Sequence, residues 1–248
     1  MIPASVGFQC PECVREGRAS APRVRGGGLR SAGRRWGPVT LVLIGVNVAM
    51  FVVTAISAAV AGINPFTNYL SPVFLDLEQW PPLVAGGQWW RLVTAAFLHV
   101  GPVHLLLNML ALLVFGTELE GRLGRWRYLA VYFVSVLGGA TAVQLFSQSP
   151  VAGASTAIWG LMGSLGVLLL ARRQDLRGIV TLLVLNVLIS VLVPGISLVG
   201  HIGGLVAGAL VTGVLVLARR RAVQIAGVTA LAVVLVVLAL AVPTIGVL

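Results

Sequence analysis

Long runs of apolar residues, separated by short segments that contain arginine, make up most of the chain. A helix needs about 20 residues to cross the hydrocarbon core of a bilayer, because each residue adds about 1.5 Å. The Pro194-Gly195 pair divides the apolar stretch between Arg177 and Arg219 into two such helices. The pattern therefore predicts seven transmembrane helices. Their bounds are Val39–Ala61, Leu92–Gly116, Tyr128–Phe146, Ala154–Ala171, Ile179–Val193, Val199–Ala218 and Val223–Val242.

The composition agrees with a membrane protein and excludes an ordinary soluble globule. Hydrophobic residues make up 58% of the 248 positions and charged residues only 10%. The net charge of +10 comes from 17 basic residues, all of them arginine, against seven acidic ones. The arginines are not interleaved with aromatic residues as on a nucleic-acid surface. We therefore expect a lipid bilayer, and no nucleic acid, as the partner of this chain.

The arginines also predict how the helices are oriented, because basic residues near transmembrane helices are retained in the cytoplasm. With the amino terminus inside, alternation of the seven helices places 16 of the 17 arginines on the cytoplasmic side. Only Arg91 lies outside. With one transmembrane helix more or fewer, the arginines would be divided between the two sides of the membrane. We expect a multi-pass protein of the plasma membrane, with a cytoplasmic amino terminus and a carboxyl terminus outside.

Residues 1–38 are rich in arginine and glycine, and we expect them to form a disordered basic tail in the cytosol. Their Cys10-Pro11-Glu12-Cys13 segment resembles half of a zinc site or a redox pair. A closed zinc site needs four ligands, and the tail contains no histidine and no third cysteine. A redox pair needs a strand and helix context that lowers the thiol pKa, and the tail lacks that context. We expect no metal and no other cofactor.

Residues 62–91, between the first two predicted helices, contain four prolines and three tryptophans. Indole rings are favoured in the interfacial layer of a membrane, so this segment is predicted to be an interfacial loop. It is long for a connection within a compact domain, which indicates a function.

A few polar residues within the apolar runs carry the chemical information, because each costs free energy in hydrocarbon. His104 and Asn108 lie four residues apart, so both can direct donors at one point, although helix-packing hydrogen bonds are the alternative. Ser155 follows Gly153 at a helix start, where free backbone N–H groups can face an oxyanion. With His201 near another helix start, the chain has a nucleophile and a base.

Glycines predict which helices pack closely. Gly200, Gly204 and Gly208 recur every four residues in the sixth predicted helix, and Gly160 and Gly163 lie in the fourth. Small residues at such spacing allow two helices to pack backbone to backbone. Close packing of these two helices would bring the histidine ring within reach of the serine.

From about Val39 to Val242 the chain resembles the rhomboid family of intramembrane serine proteases. The resemblance rests on five motifs, each weak alone, that occur in the family's order on matching helices. They are Trp90-Arg91, His104-x-x-x-Asn108, Gly116-x-x-x-Glu120 followed by Gly124, Gly153-x-Ser155, and Gly200-His201-x-Gly203-Gly204-x-x-x-Gly208.

The resemblance implies an all-α membrane protein. A rhomboid-like protease core of six transmembrane helices, residues 39–218, is followed by one extra transmembrane helix in residues 219–248. Ser155 is then the nucleophile and His201 the general base, in a dyad that has no third carboxylate. Trp159 occupies the position whose aromatic ring stacks on the catalytic histidine, where the family more often has tyrosine.

By the same resemblance, His104 and Asn108 form the side-chain half of an oxyanion hole that the Ser155 backbone N–H completes. His99, five residues before His104, is expected to be structural and to tie the interfacial loop to the bundle. The other residues that we expect to be structural are Arg91, Glu120, Gly153, Gly204 and Gly208.

The implied function is that of an intramembrane serine endopeptidase, which cleaves transmembrane segments of membrane proteins. Its substrates are expected to be single-pass or other membrane proteins with unstable helices, because a helix must unwind before its backbone can react. One alternative is a rhomboid-like pseudoenzyme, but such relatives lack the serine or the histidine. A small transporter is another, but the chain has no internal repeat.

Overall fold

The computed structural model describes residues 2–3, 8–12 and 36–241, and the chain divides into two units, Met1–Arg35 and Trp36–Leu248. In the first unit, the two-residue strands Ile2–Pro3 and Phe8–Gln9 pair in antiparallel fashion. The other residues of the tail, for which we predict disorder, lie outside the described residues. Within residues 36–241 the regular elements are helices, apart from one isolated β-bridge.

Seven long helices in residues 36–241 correspond to the seven predicted ones, and the all-α fold class is confirmed. Five are long and apolar enough to cross a membrane, whereas the fourth and fifth have only 17 and 16 residues. The helices are α1, Pro38–Val60; α2, Gly101–Leu123; α3, Arg125–Phe146; α4, Ser155–Ala171; α5, Arg177–Leu192; α6, Leu198–Leu217; and α7, Arg221–Ala241.

The second helix is the one whose predicted bounds were wrong. We expected it at Leu92–Gly116, but α2 begins only at Gly101, after the short helix Arg91–Thr94 and the 3-10 helix Ala95–Phe97. Gly101 has a φ of +72°, which interrupts a right-handed helix. Pro102 follows it and has no N–H to bond to a preceding turn, so a new helix starts there.

The interfacial loop consists largely of three short helical segments. Each begins with a proline, whose fixed φ suits the first helical position and whose missing N–H has no partner there anyway. The segments are Pro65–Leu70, Pro72–Leu77 and Pro81–Ala85.

Two buried polar side chains bind this loop to the bundle. The amide nitrogen of Asn68 donates to the Thr54 hydroxyl of α1 at 2.8 Å and to the His99 carbonyl at 2.9 Å. The amide nitrogen of Gln79 donates to the Ala140 carbonyl of α3 at 2.8 Å. The loop is therefore held by specific hydrogen bonds at both of its halves.

Helices α4 and α6 pack backbone to backbone, as the glycine spacing predicts. Gly204 and Gly208 of α6 lie directly against the carbonyl oxygens of Thr156 and Gly160 of α4. A Cβ atom on either glycine of α6 would overlap these oxygens, so no larger residue fits without moving a helix. The side chains at the starts of the two helices are thus brought close together.

Helix α3 packs equally closely against α6 from another side. A Cβ on Gly138 or Gly139 of α3 would lie 2.8 Å from the carbonyl oxygen of Gly203 or Gly200, respectively. This contact was not predicted, because the adjacent glycines Gly138 and Gly139 lack the four-residue spacing.

The arginine-rich helix ends converge at one end of the bundle. Arg122, near the end of α2, reaches Gln174, just after α4, at 3.5 Å. Arg127 in the first turn of α3 donates to Gln224 in the first turn of α7 at 3.1 Å. This convergence is what the alternation of seven helices predicts.

At the same end, a carboxylate of α2 caps the start of α1. Glu120, only 6% exposed, accepts hydrogen bonds from the backbone N–H groups of Val39 at 3.1 Å and Thr40 at 2.8 Å, and from the Thr40 hydroxyl at 2.9 Å. N–H groups in a first helical turn have no partner within the helix, and the helix dipole favours a negative charge there. Glu120 therefore fastens α1 to α2.

Replacing Glu120 with alanine is expected to destabilise the protein, because it leaves buried donors at the start of α1 without an acceptor. The expected loss is about 3 kcal/mol of unfolding free energy, from about 1–3 kcal/mol for each buried unsatisfied group. Thermal unfolding in detergent measures it. The control is Glu118→Ala, two residues away, where a surface ion pair with Arg122 is worth at most about 1 kcal/mol. Equal stability of the two variants would contradict the capping role.

Candidate active site

The starts of α2, α4 and α6 and the end of α5 meet at the end of the bundle away from the arginine clusters. Ser155 is the first residue of α4, and His201 lies in the first turn of α6. His104 lies in the first turn of α2, and Ser190 lies in the last turn of α5. The structure thus brings together three predicted site residues and one that the sequence analysis did not identify.

Ser155 and His201 are joined directly. The Ser155 hydroxyl oxygen lies 2.8 Å from His201 Nε2, within hydrogen-bonding distance. The imidazole is buried, whereas the serine is half-buried. A hydroxyl in this position can transfer its proton to the ring, which is the geometry required of a nucleophile and its base.

Trp159, one turn after Ser155 on α4, stacks on the imidazole. The ring centroids of Trp159 and His201 are 4.7 Å apart and the two planes are inclined by only 19°. Trp159 is only 2% exposed, so its main contact is not with lipid. The indole therefore limits the rotation of the imidazole about its side-chain bonds.

The second ring nitrogen of His201 meets Ser190. The Ser190 hydroxyl oxygen lies 2.9 Å from His201 Nδ1, and it also donates to the Asn186 carbonyl at 2.8 Å. The only sequence signal for Ser190 is a polar residue near the end of an apolar helix. Serine is common in membrane helices and usually bonds to its own backbone, so this signal could not identify a contact with His201.

His104 is oriented by its own helix start. Its Nδ1 accepts a hydrogen bond from the Val100 backbone N–H at 3.2 Å, so the ring proton of the neutral form lies on Nε2. The imidazole of His99 packs beside it, with ring centroids 5.1 Å apart. His104 thus presents an N–H donor at Nε2.

Gly153 leaves a space between His104 and Ser155. A Cβ on Gly153 would lie 3.0 Å from His104 Nε2 and 3.5 Å from the Ser155 hydroxyl oxygen, so both groups border the space that glycine leaves open. Gly153 has a φ of +135°, a conformation that residues with a side chain rarely adopt. Glycine is therefore required here both by the backbone and by the space.

The segment before Ser155 is fixed by backbone hydrogen bonds. Val151 forms an antiparallel bridge with Gln79 of the interfacial loop, with N···O distances of 2.8 and 3.1 Å. The Gly153 N–H donates to the Ala95 carbonyl at 2.9 Å. The interfacial loop therefore helps to place the start of α4, which the sequence analysis did not anticipate.

Asn108 lies one turn after His104 on α2 and is only 7% exposed. Its amide nitrogen donates to the His104 carbonyl at 2.9 Å, which engages one of the two amide hydrogens. This bond lies within α2 and joins no second helix, and one amide hydrogen is left for another acceptor.

Arg91 and His99 lie beside the site and not within it. Arg91 is 3% exposed, and its guanidinium donates to the carbonyls of Leu75 and Glu78, both at 2.7 Å, and to the Gln88 side chain at 2.7 Å. The ring of His99 is completely buried, and its carbonyl accepts from the loop residue Asn68. Both residues bond to the interfacial loop.

Comparisons with known proteins agree on one family. The family model for the Rhomboid domain matches residues 86–219. Rhomboid protease GluP of Bacillus subtilis (strain 168) is 40% identical over 131 residues, which cover 51% of this chain and 26% of GluP. RHOMBOID-like protein 6, mitochondrial, of Arabidopsis thaliana is 35% identical over 158 residues, or 58% of this chain and 50% of that protein.

Putative rhomboid protease YdcA of Bacillus subtilis (strain 168) is 35% identical over 147 residues, which cover 56% of this chain and 73% of YdcA. The chain thus spans about a quarter of GluP and half of RHOMBOID-like protein 6, but most of YdcA. The matched domain covers more than half of the chain and contains the whole cluster around Ser155 and His201. With this match, the chain belongs to the rhomboid family.

Proposed function

We propose that this chain is an intramembrane serine endopeptidase that cleaves transmembrane segments of membrane proteins with a Ser-His dyad. The observation that carries the proposal is the 2.8 Å contact between the Ser155 hydroxyl and His201 Nε2 inside a bundle of apolar helices. Two relatives, GluP and YdcA, are named as rhomboid proteases, the second putatively, and this supports the assignment.

The dyad acts by acyl transfer. His201 Nε2 takes the hydroxyl proton as Ser155 attacks the peptide carbonyl, and it then returns that proton to the leaving amine. Water hydrolyses the acyl-enzyme with the same base. Trp159 keeps the imidazole in the plane in which both proton transfers occur.

His104 and Asn108 stabilise the negative charge that develops on the carbonyl oxygen. The space beside Gly153 receives this oxygen, because His104 Nε2 and Ser155 border it. The backbone N–H of Ser155, in the first turn of α4, completes the oxyanion hole. Arg91, Glu120, His99 and the glycines support the bundle and the loop.

The substrates are single-pass or other membrane proteins with unstable helices, because a peptide bond can reach Ser155 only where a helix has unwound. The protein lies in the plasma membrane with its amino terminus in the cytoplasm and its carboxyl terminus outside. The arginine clusters at the end of the bundle away from Ser155 support this orientation, so cleavage takes place near the outer boundary.

Ser155→Ala and His201→Ala are both expected to abolish cleavage of a single-pass substrate in lipid vesicles, because each removes one half of the proton transfer. Mass spectrometry of the products measures the activity and locates the cut. Ser164→Ala is the matched control, since Ser164 is a buried serine on the same helix that bonds to Thr212. Full activity of either dyad variant would refute the mechanism.

A fluorophosphonate should label Ser155 in the wild-type protein and leave Ser155→Ala unlabelled. The reagent phosphonylates an activated serine, so a pseudoenzyme or a transporter would not react. An unlabelled wild-type protein that is folded would speak against the protease.

His104→Ala and Asn108→Ala are expected to lower kcat and leave KM nearly unchanged, because their hydrogen bonds are strongest to the oxyanion. Removal of one such donor typically costs about 3 kcal/mol, or about a 100- to 1000-fold lower kcat. Steady-state kinetics measure the two constants, with Val103→Ala, on the exposed face of α2, as the control. A raised KM with unchanged kcat would assign the two residues to substrate binding.

Trp159→Leu is expected to lower kcat, whereas Trp159→Tyr should retain most of it, because tyrosine keeps a ring face against His201. Aromatic stacking is worth about 0.5–1.5 kcal/mol, so the leucine variant should be about 2- to 10-fold slower. The same kinetic assay compares the two variants. Equal rates for leucine and tyrosine would show that stacking does not orient the base.

A further inference from the structure

The imidazole of His201 has a partner at each of its two nitrogens. Nε2 faces the Ser155 hydroxyl at 2.8 Å, and Nδ1 faces the Ser190 hydroxyl at 2.9 Å. The hydrogen bonds and ion pairs of the described residues join His201 to no carboxylate. A serine on α5 therefore occupies the place beside Nδ1 that a carboxylate occupies in a catalytic triad.

The hydrogen-bond direction at Nδ1 follows from the second bond of Ser190. A hydroxyl has one proton and two lone pairs, and Ser190 donates its proton to the Asn186 carbonyl at 2.8 Å. Towards His201, Ser190 can therefore only accept. The proton of the neutral imidazole must lie on Nδ1, which leaves the lone pair of Nε2 facing Ser155.

We infer that Ser190 is a positioning residue that fixes the tautomer of His201 in which Nε2 can act as the base. The inference rests on the proposed protease function and deepens it. In the other tautomer, Nε2 would carry a proton and could not accept one from Ser155. The hydrogen bonds from Ser155 to His201, from His201 to Ser190 and from Ser190 to Asn186 all point in the same direction. Hydrogen bonds aligned in this way strengthen one another.

The packing of α5 supports a specific contact. Only Ile179 and Ser190 of its 16 residues are buried, and Ser190 is 7% exposed. Most side chains of α5 therefore have no close neighbour within the bundle. The buried Ser190 hydroxyl, in contrast, is within hydrogen-bonding distance of His201. A serine that bonds only to its own helix can lie at any position of that helix, so the position of Ser190 beside His201 indicates a specific contact.

The first test compares Ser190→Ala and Ser190→Thr with wild type. The alanine variant loses one buried hydrogen bond to His201, and we expect its kcat to fall about 10-fold at unchanged KM. Threonine keeps a hydroxyl that can bond to the carbonyl four residues earlier, so it should restore most of the rate. Ser164→Ala, which removes another buried hydroxyl, should leave kcat unchanged.

The second test observes the tautomer itself. The chain contains three histidines, so a long-range ¹⁵N–¹H spectrum of histidine-labelled protein shows three rings, and His201→Gln identifies the signal of interest. We expect His201 to be protonated at Nδ1 in the wild-type protein and to shift towards the Nε2-protonated form in Ser190→Ala.

A wild-type His201 protonated at Nε2 would overturn the inference, and so would an alanine variant with unchanged kcat. This spectrum does not depend on proteolysis. If the wild-type protein cleaves no substrate, the proposed function fails, while the tautomer assigned to Ser190 is still decided by the spectrum.

Discussion

The direct contact between the backbones of α4 and α6 determines where the site residues lie. Gly204 and Gly208 allow the two helices to approach until carbonyl oxygens of α4 touch the α carbons of α6. Ser155 and His201 lie in the first turns of these helices, so the spacing of the helices sets the distance between them. Without a hydrophobic driving force between helices in lipid, such close packing is a main source of association. The close packing of α4 against α6 is thus required both by the fold and by the proposed chemistry.

The proposed site works with neutral groups around the base. An isolated carboxylate in hydrocarbon loses its hydration and must be compensated, which makes a buried aspartate an expensive partner for an imidazole. Here an indole face and a serine hydroxyl surround His201 instead. The one buried carboxylate described above, Glu120, lies at the other end of the bundle, where three donors satisfy it. The charge of Glu120 therefore lies where the start of a helix compensates it.

Much of the fold was predictable because hydrophobic length and glycine spacing are local properties of the sequence. Seven helices, the pairing of α4 with α6, and the approach of His201 to Ser155 followed from them. The place of His104 beside Ser155 was instead implied by the resemblance to the family. The start of α2 was missed because an apolar run does not show that Gly101 has a positive φ. Ser190 and Gln79 were missed for a different reason. Their partners are distant in sequence, and only the packed bundle makes a common serine or glutamine specific.

The shortness of α5 has a consequence for the lipid around it. Its 16 residues span about 24 Å, whereas the hydrocarbon core of a bilayer is about 30 Å thick. Most of its side chains are exposed at the surface of the bundle, so lipid beside it must thin or the helix ends must be covered by other groups. Where the lipid thins, an ordinary transmembrane helix that approaches this side would be longer than the local hydrocarbon core. The last turn of such a helix would then project into the headgroup layer, where water can hydrate its backbone and less free energy would be needed to unwind it.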